Sequence, residues 1–170
     1  AYYHFYIMRM YGASPIIREN VSIDADASEF DIPRSPYDEG IDYVIELLDE
    51  AAAILPPSIA DQNTEYGRIT SVIAKGLKAR VLLTAASPLF NGNEDLNGVV
   101  NPDGTVLYNT SFEISKWQEA LDAAQEAIEL AENSGHSLYE FSGNTFNLSD
   151  TTSIKLSIRN AVSLRRSQEV

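Results

Sequence analysis

Few residues in this chain are of a type and spacing that could do chemistry. The two histidines, whose ordinary pKa suits proton transfer near neutrality, lie far apart in the sequence. His4 sits in an aromatic run and His136 beside Gly135, and no acid or nucleophile pattern accompanies either. Both read as core or surface histidines. Asp95, Asn97, Asn101 and Asp103 offer the oxygen ligands that calcium takes, but their spacing departs from the Asp-x-Asp/Asn-x-Asp/Asn-Gly loop, so turn formation is expected of them. The chain has no cysteine, which excludes disulfides, thiolate metal sites and cysteine nucleophiles. Catalytic residues, metal ligands and cofactors are therefore expected to be absent. Neutral or cationic ligands remain open, and their recognition would take exposed aromatic planes with amides or carboxylates beside them. Trp117, the sole tryptophan, lies on an apolar helix face and is expected in the core, whereas Tyr66, Phe90 and Tyr108 flank an asparagine-rich loop. No motif marks these three as contacts, so the ligand-binding residues stay unassigned. Asn20-Val-Ser22, Asn109-Thr-Ser111 and Asn147-Leu-Ser149 match the glycosylation triplet, which carries meaning only in a eukaryotic secretory route.

The elements that must position these residues read as helices. Thr70 can cap a helix over 71–87, and Pro88 ends it by biasing Ser87 out of the α region. Val72, Ile73, Ala74, Leu77, Val81, Leu82 and Leu83 make this helix apolar on most sides, leaving Lys75 and Lys78 as the stripe expected to face water. Such a helix must be covered from several directions, with Gly76, Ala79 and Ala86 admitting close neighbours. Ser35-Pro36-Tyr37-Asp38 predicts a helix over 36–55, with a hydroxyl cap, proline in the first turn and acids near the positive end of the dipole. Its apolar side carries Ile41, Val44, Ile45 and Leu48, and Pro56-Pro57 stops it. Ser115-Lys-Trp117-Gln118 has the form of a capping box and predicts a helix over 116–133, closed by Gly135. Trp117, Ala120, Leu121, Ala124, Ile128 and Ala131 form its apolar face. Acidic side chains such as Glu46 and Glu126 belong to solvated faces.

The first twelve residues, closed by Gly12 and Pro15, read as the tail of a helix, which makes the chain an internal piece of a longer protein. Residues 13–34 read as a loop with a short extended stretch at Ile16-Ile17. The segment from Leu89 to Gly104 is dense in turn residues and too long for a mere connector. In the tail, Ile154, Leu156 and Ile158 alternate as in a strand, while Ile158, Ala161, Val162 and Arg165 suit a helix. The 170 residues are 44% hydrophobic with a formal net charge of −13, a composition that supports one folded domain and repels nucleic acid or an anionic membrane surface. No apolar run is long enough to span a bilayer.

Aligning the two capped helices from Ser35 and Ser115, 80 residues apart, brings Tyr37 onto Trp117, Ile41 onto Leu121, Asp42 onto Asp122, Leu48 onto Ile128 and Ala51 onto Ala131. Any two amphipathic helices share a face, and that alone accounts for the echo. Equally, the two are the first helices of tetratricopeptide-like hairpins, with long loops inserted because the repeat unit is only about 34 residues.

Four ordered stretches resemble the SusD/RagB-like glycan-binding outer-membrane lipoproteins of Bacteroidetes. They are Ala1-Tyr-Tyr-His-Phe to Gly12 with Pro15-Ile16-Ile17; Arg34-Ser35-Pro36 to Leu55-Pro56; Gly67-Arg68-Ile69-Thr70 through Lys78-Ala79-Arg80 to Phe90-Asn91; and Trp117-Gln-Glu-Ala120 through Ile128 to Leu138-Tyr139. The resemblance implies a mainly α, SusD-like scaffold of tetratricopeptide-like hairpins, of which residues 1–170 form a single helical region inside a larger domain. It also implies oligosaccharide capture without catalysis at the outer-membrane surface, in complex with a SusC-type TonB-dependent transporter. Family members are much longer and begin with a lipidated cysteine, and both features are missing here. The helical pattern by itself supports a second class, a tetratricopeptide-like protein-interaction scaffold.

Overall fold

The computed structural model describes residues 1–61, 63–142 and 148–163. Asn147 and Arg165, named above, lie outside the described residues. Among the described residues five α-helices follow in order: α1 (Tyr2–Tyr11), α2 (Tyr37–Ile54), α3 (Ser71–Ala86), α4 (Ile114–Asn133) and α5 (Asp150–Ser163). The chain is therefore mainly α, and the described tail is helical rather than extended. Two short 3-10 turns, Ala27–Phe30 and Glu94–Leu96, interrupt the loops. The Thr70 hydroxyl accepts the Ile73 N–H as a side-chain cap, and α3 stops before an extended Ser87. Gly135, at φ +82°, closes α4: its N–H reaches the Glu132 carbonyl and that of His136 reaches Ala131, the two bonds of a Schellman end.

Two predicted caps are supplied from elsewhere in the chain. At α2 the cap position falls on Pro36, no side chain caps it, and the Tyr37 N–H is taken by the Leu107 carbonyl at 2.9 Å. At α4 the helix begins at Ile114, so Ser115 lies inside it rather than capping it. Asn91 holds the entry instead, its Oδ1 accepting the Glu113 N–H at 2.7 Å and its Nδ2 donating to the Glu113 carbonyl at 2.9 Å. Both substitutions come from the long segment after α3, which supplies polar groups that local spacing does not reveal.

Helices α2, α3 and α4 pack side by side with α3 in the middle. Asp49 meets Lys75 and Lys78, Ile45 packs at Leu82, and the Pro56 carbonyl receives the Ser71 N–H, so α2 and α3 are antiparallel. Lys75 pairs with Glu126 while Leu82 packs on Ala120 and Ala123, so α4 is antiparallel to α3 as well. It follows that α2 and α4 are parallel: Lys116 reaches Asp38, 78 residues away, and His136 meets the Pro57 carbonyl, 79 residues away. The echo read from the sequence is a spatial repeat, an α2–α3 hairpin followed by a second first helix. That is the tetratricopeptide-like arrangement with a long insertion between the units.

The main core joins Phe5 and Met8 of α1, Tyr37, Ile41, Val44 and Leu48 of α2, Val81 and Ala85 of α3, and Phe90 and Leu107 of the insertion. Tyr37 stacks on Phe90 with ring centres 4.0 Å apart, and Tyr108 stacks beside them at 5.8 Å from Tyr37. Within the insertion Val100 and Val106 form an antiparallel bridge, and Asn101 Nδ2 donates to the Arg34 carbonyl at 2.7 Å, just ahead of α2.

Three expectations about exposure are corrected. Lys75 and Lys78 are not the wet stripe of α3; their side chains are only 18% and 17% exposed, whereas Ile73 and Leu83 stand half out. The lysines are drawn inward because acids of α2 and α4 flank them. Trp117 is 38% exposed rather than core, since α4 meets α3 through the smaller Ala120 and Ala123. Gly76 is open to the outside, with nothing near a built Cβ, and the close approach assigned to it occurs at Gly40, where a Cβ would stand 2.6 Å from Met8 Cε.

Two consequences follow for stability. Gly40→Leu forces α1 off α2 and should cost ~1–3 kcal/mol or more, while Gly76→Ala should stabilise by roughly 0.5–1 kcal/mol; thermal melts of both variants decide, and the reverse order refutes the placement. The Tyr37 hydroxyl is buried without a hydrogen-bond partner among the described residues. Tyr37→Phe should therefore be neutral or stabilising by about 1 kcal/mol, and a clear loss of melting temperature would mean that the hydroxyl is paired.

Candidate functional site

Two open clefts lie along α2. The first, of about 390 Å³, is lined by Pro36 and Asp38 at the start of α2 and by Asn97, Val106, Leu107, Tyr108, Asn109 and Thr110 of the insertion. Proline and the insertion's turns bring these residues together. Asp103 accepts the Thr105 N–H and Asn109 accepts the Ser111 N–H, which fix the bends on either side of the Val106–Tyr108 stretch. The lining combines apolar surface, two primary amides, a hydroxyl and one carboxylate. That set can pair with hydroxyl groups and cover a hydrocarbon face, which is the chemistry a neutral polyol demands.

The second cleft, of about 400 Å³, runs over α3 between α2 and α4, lined by Asp42, Ile45, Lys78, Leu82, Glu119, Asp122, Ala123 and Glu126. Lys78 and Glu126 of this lining belong to a charge network: Lys78 Nζ lies 2.7 Å from Asp49 Oδ2, and Lys75 Nζ bridges Asp49 at 3.1 Å and Glu126 at 2.8 Å. Partial burial pushes the Asp49 carboxyl up, but hydrogen bonds from Lys78 and Lys75 outweigh it and hold the group below its ordinary value. The hydrogen bond to Glu126, opposed by burial and aided by Asp49, holds Lys75 above its own. Asp42 is pushed up by burial and by neighbouring Asp38, with Lys116 pulling the other way. Among the described residues, no three His, Asp or Glu side chains gather to hold a metal ion.

Of the aromatic candidates, Phe90 is core, 7% exposed and stacked on Tyr37. Tyr108 lines the first cleft, but its hydroxyl accepts the Ala13 N–H at 2.8 Å and occupies the space a side chain at Gly12 would need. Tyr66 lies outside both clefts, in the loop before α3. His4 accepts from the Ile17 N–H at 3.4 Å and packs edge-on against Tyr43, and partial burial lowers its pKa. His136 ties the end of α4 to the chain just after α2 and lines neither cleft. Asp38, Asn109 and Thr110 were missed by sequence reasoning; the signal was the polar cluster near Tyr108, hidden because the cleft forms only when the insertion folds onto α2.

No family model and no curated protein matches the chain. Among solved structures, BT4246 superposes on 92% of the chain with a TM-score of 0.73 and 35% sequence identity. Its selenomethionine form superposes on 96% with a TM-score of 0.69 and 33% identity. A SusD-like protein from Bacteroides fragilis NCTC 9343, BF3747, superposes on 82% of the chain with a TM-score of 0.52 and 20% identity. The fold is SusD-like. The chain spans 28%, 29% and 20% of the length of these three structures.

The charge network of this SusD-like scaffold sets a pH window. Asp49 is depressed on folding, so its contribution is complete above 3.8 and is lost as pH falls through its lower folded value. Lys75 is raised on folding, so its contribution is complete below 10.5 and is lost as pH climbs through its higher folded value. Asp49→Asn should therefore lower the melting temperature between these limits, with the gap to the native chain narrowing in acid. A gap that stays constant as pH falls well below 3.8 contradicts the assignment.

Proposed function

We propose that this chain is part of a non-catalytic oligosaccharide-binding component of a polysaccharide-uptake complex. The complete protein is held at the outer-membrane surface by a lipid on an N-terminal cysteine outside these residues, and it passes its ligand to a SusC-type TonB-dependent transporter. The observation that carries the reading is the SusD-like fold, seen in the superposition on the SusD-like protein of Bacteroides fragilis. The lining of the first cleft, where the amides of Asn97 and Asn109 and the Thr110 hydroxyl stand beside apolar surface and the Asp38 carboxylate, supports it, as does a net charge of −13 that disfavours nucleic acid. No helix among the described residues is long and apolar enough to cross a membrane, which accords with attachment through a lipid. In this reading the segment mainly supplies scaffold and partner surface. Further sugar contacts come from loops and from the rest of the protein.

A second reading, a tetratricopeptide-like protein-interaction scaffold, is favoured by the outer face of α1, where Tyr3, Met10 and Tyr11 are 80%, 60% and 81% exposed. Calorimetric titration of the complete protein against a neutral glycan panel, with chromatography to detect cleavage, separates the readings. Binding without products is expected, and the isolated 170-residue chain should bind weakly or not at all. Hydrolysis by the pure protein refutes the non-catalytic claim. No binding to any glycan leaves the scaffold reading in its place.

A further inference from the structure

The chain contains two Asn-Gly pairs, Asn91-Gly92 and Asn97-Gly98. Glycine after asparagine leaves the next backbone nitrogen unshielded by a Cβ and the chain free to turn it toward the side-chain amide carbon. The fold treats the two pairs in opposite ways. Asn91 is 3% exposed, its Oδ1 accepts the Glu113 N–H and its Nδ2 donates to the carbonyls of Glu113 and Ala86, so its amide is held at both ends. Asn97 is exposed in the lining of the first cleft, and Gly98 after it is exposed at φ +78° with no atom near a built Cβ. Among the described residues, no hydrogen bond holds the Asn97 side chain or the Gly98 N–H; only the flanks are tied, the Asn97 N–H to the Glu94 carbonyl and the Val99 N–H to that of Leu96. Asn97 has an extended ψ of 136°, so Gly98 N reaches Cγ by a rotation between those two ties. Neighbouring groups offer no rival. Asn101 precedes Pro102, which has no N–H to attack with. The Asp103 carboxyl before Gly104 accepts the Thr105 N–H, which holds it below its ordinary pKa and so keeps it an ionised, poor electrophile.

We infer that Asn97-Gly98 is a self-modifying site that converts an amide of the first cleft into an acid through a cyclic imide. Gly98 N gives up its proton, attacks Asn97 Cγ and expels the side-chain nitrogen as ammonia, closing a succinimide ring. Water then opens either carbonyl of the ring. One opening gives aspartate; the other gives isoaspartate, whose backbone runs through the former side chain and is longer by a methylene. The sum is a water consumed and an ammonia released, with no oxidation, and base speeds the attack because the deprotonated amide nitrogen is the nucleophile. Two effects follow. The cleft loses an amide donor and gains a carboxylate in the same lining as Asp38. The longer backbone of isoaspartate also displaces Val99, whose carbonyl accepts the Leu107 N–H at 3.1 Å, and the Leu107 carbonyl in turn takes the first N–H of α2. Val99 and Leu107 both pack in the main core. Isoaspartate therefore loosens the docking of the insertion on α2, whereas aspartate leaves the backbone as it was. The reaction needs no glycan and stands apart from the proposed function.

The complete protein is incubated folded at mildly alkaline pH and its peptides are mapped by mass spectrometry, with isoaspartate detected by an isoaspartyl methyltransferase and a labelled methyl donor. Asn97 should convert first, with isoaspartate in excess over aspartate, and at least about tenfold faster than Asn91, whose amide reacts only after local opening. In urea the two pairs should convert at similar rates, and Asn97→Gln should remove the early signal. Protein enriched in isoaspartate should melt below the Asn97→Asp variant, which carries the charge on an unlengthened backbone. Asn97 that stays intact in the folded protein, Asn91 converting as fast, or aspartate formed without isoaspartate each overturns the site. Equal melting of the isoaspartate form and Asn97→Asp overturns the link from the cleft to the start of α2.

Discussion

Two ammonium groups that are more than four-fifths withdrawn from water need anions within reach, and the rotation of α3 follows from that requirement. Lys75 and Lys78 lie over the seam where α2 and α4 approach the same side of α3, and Asp49 and Glu126 converge on them from opposite helices. Their aliphatic stems cover the small residues beneath while the charged ends find carboxylates. Each exposed pair would contribute little alone. Acting together across three helices, they decide which side of α3 faces in, and so send Ile73, Gly76 and Leu83 outward.

The insertion between α3 and α4 performs the work that capping residues perform in simpler helical proteins. Asn91 satisfies both backbone groups of Glu113 at the entry to α4, and the Leu107 carbonyl takes the first N–H of α2. Phe90 and Tyr108 stack with Tyr37 and bind the insertion to the core, and the Tyr108 hydroxyl fixes the chain just after Gly12. A segment dense in turn residues is therefore a structural part of the domain. The cleft it shares with the start of α2 is a by-product of that docking; along it Asp38 is paired with Lys116, Asn109 donates to Glu113 and accepts the Ser111 N–H, and the exposed Val106 supplies apolar surface.

Much of the fold was legible in the sequence. Proline stops at Pro56 and Pro88, the Thr70 cap, the glycine ends at Gly12 and Gly135 and the 3.6-residue apolar spacing located the three central helices to within two residues. Those signals are local, acting within a turn or two of the chain. The 80-residue echo was legible too, and its spatial meaning is the parallel placement of α2 and α4. Tertiary structure alone decided which of several apolar faces was covered. Sequence periodicity marks a face as apolar but carries no information about what lies against it. Hence Trp117 and Gly76 were expected inside and stand outside, while Lys75 and Lys78 were expected outside and lie within. The first cleft was hidden for the same reason, since Asp38 and Asn109 are brought together only when the insertion closes on α2. Pairing of charges and docking of a long loop are long-range events, and their outcome depends on all the partners at once.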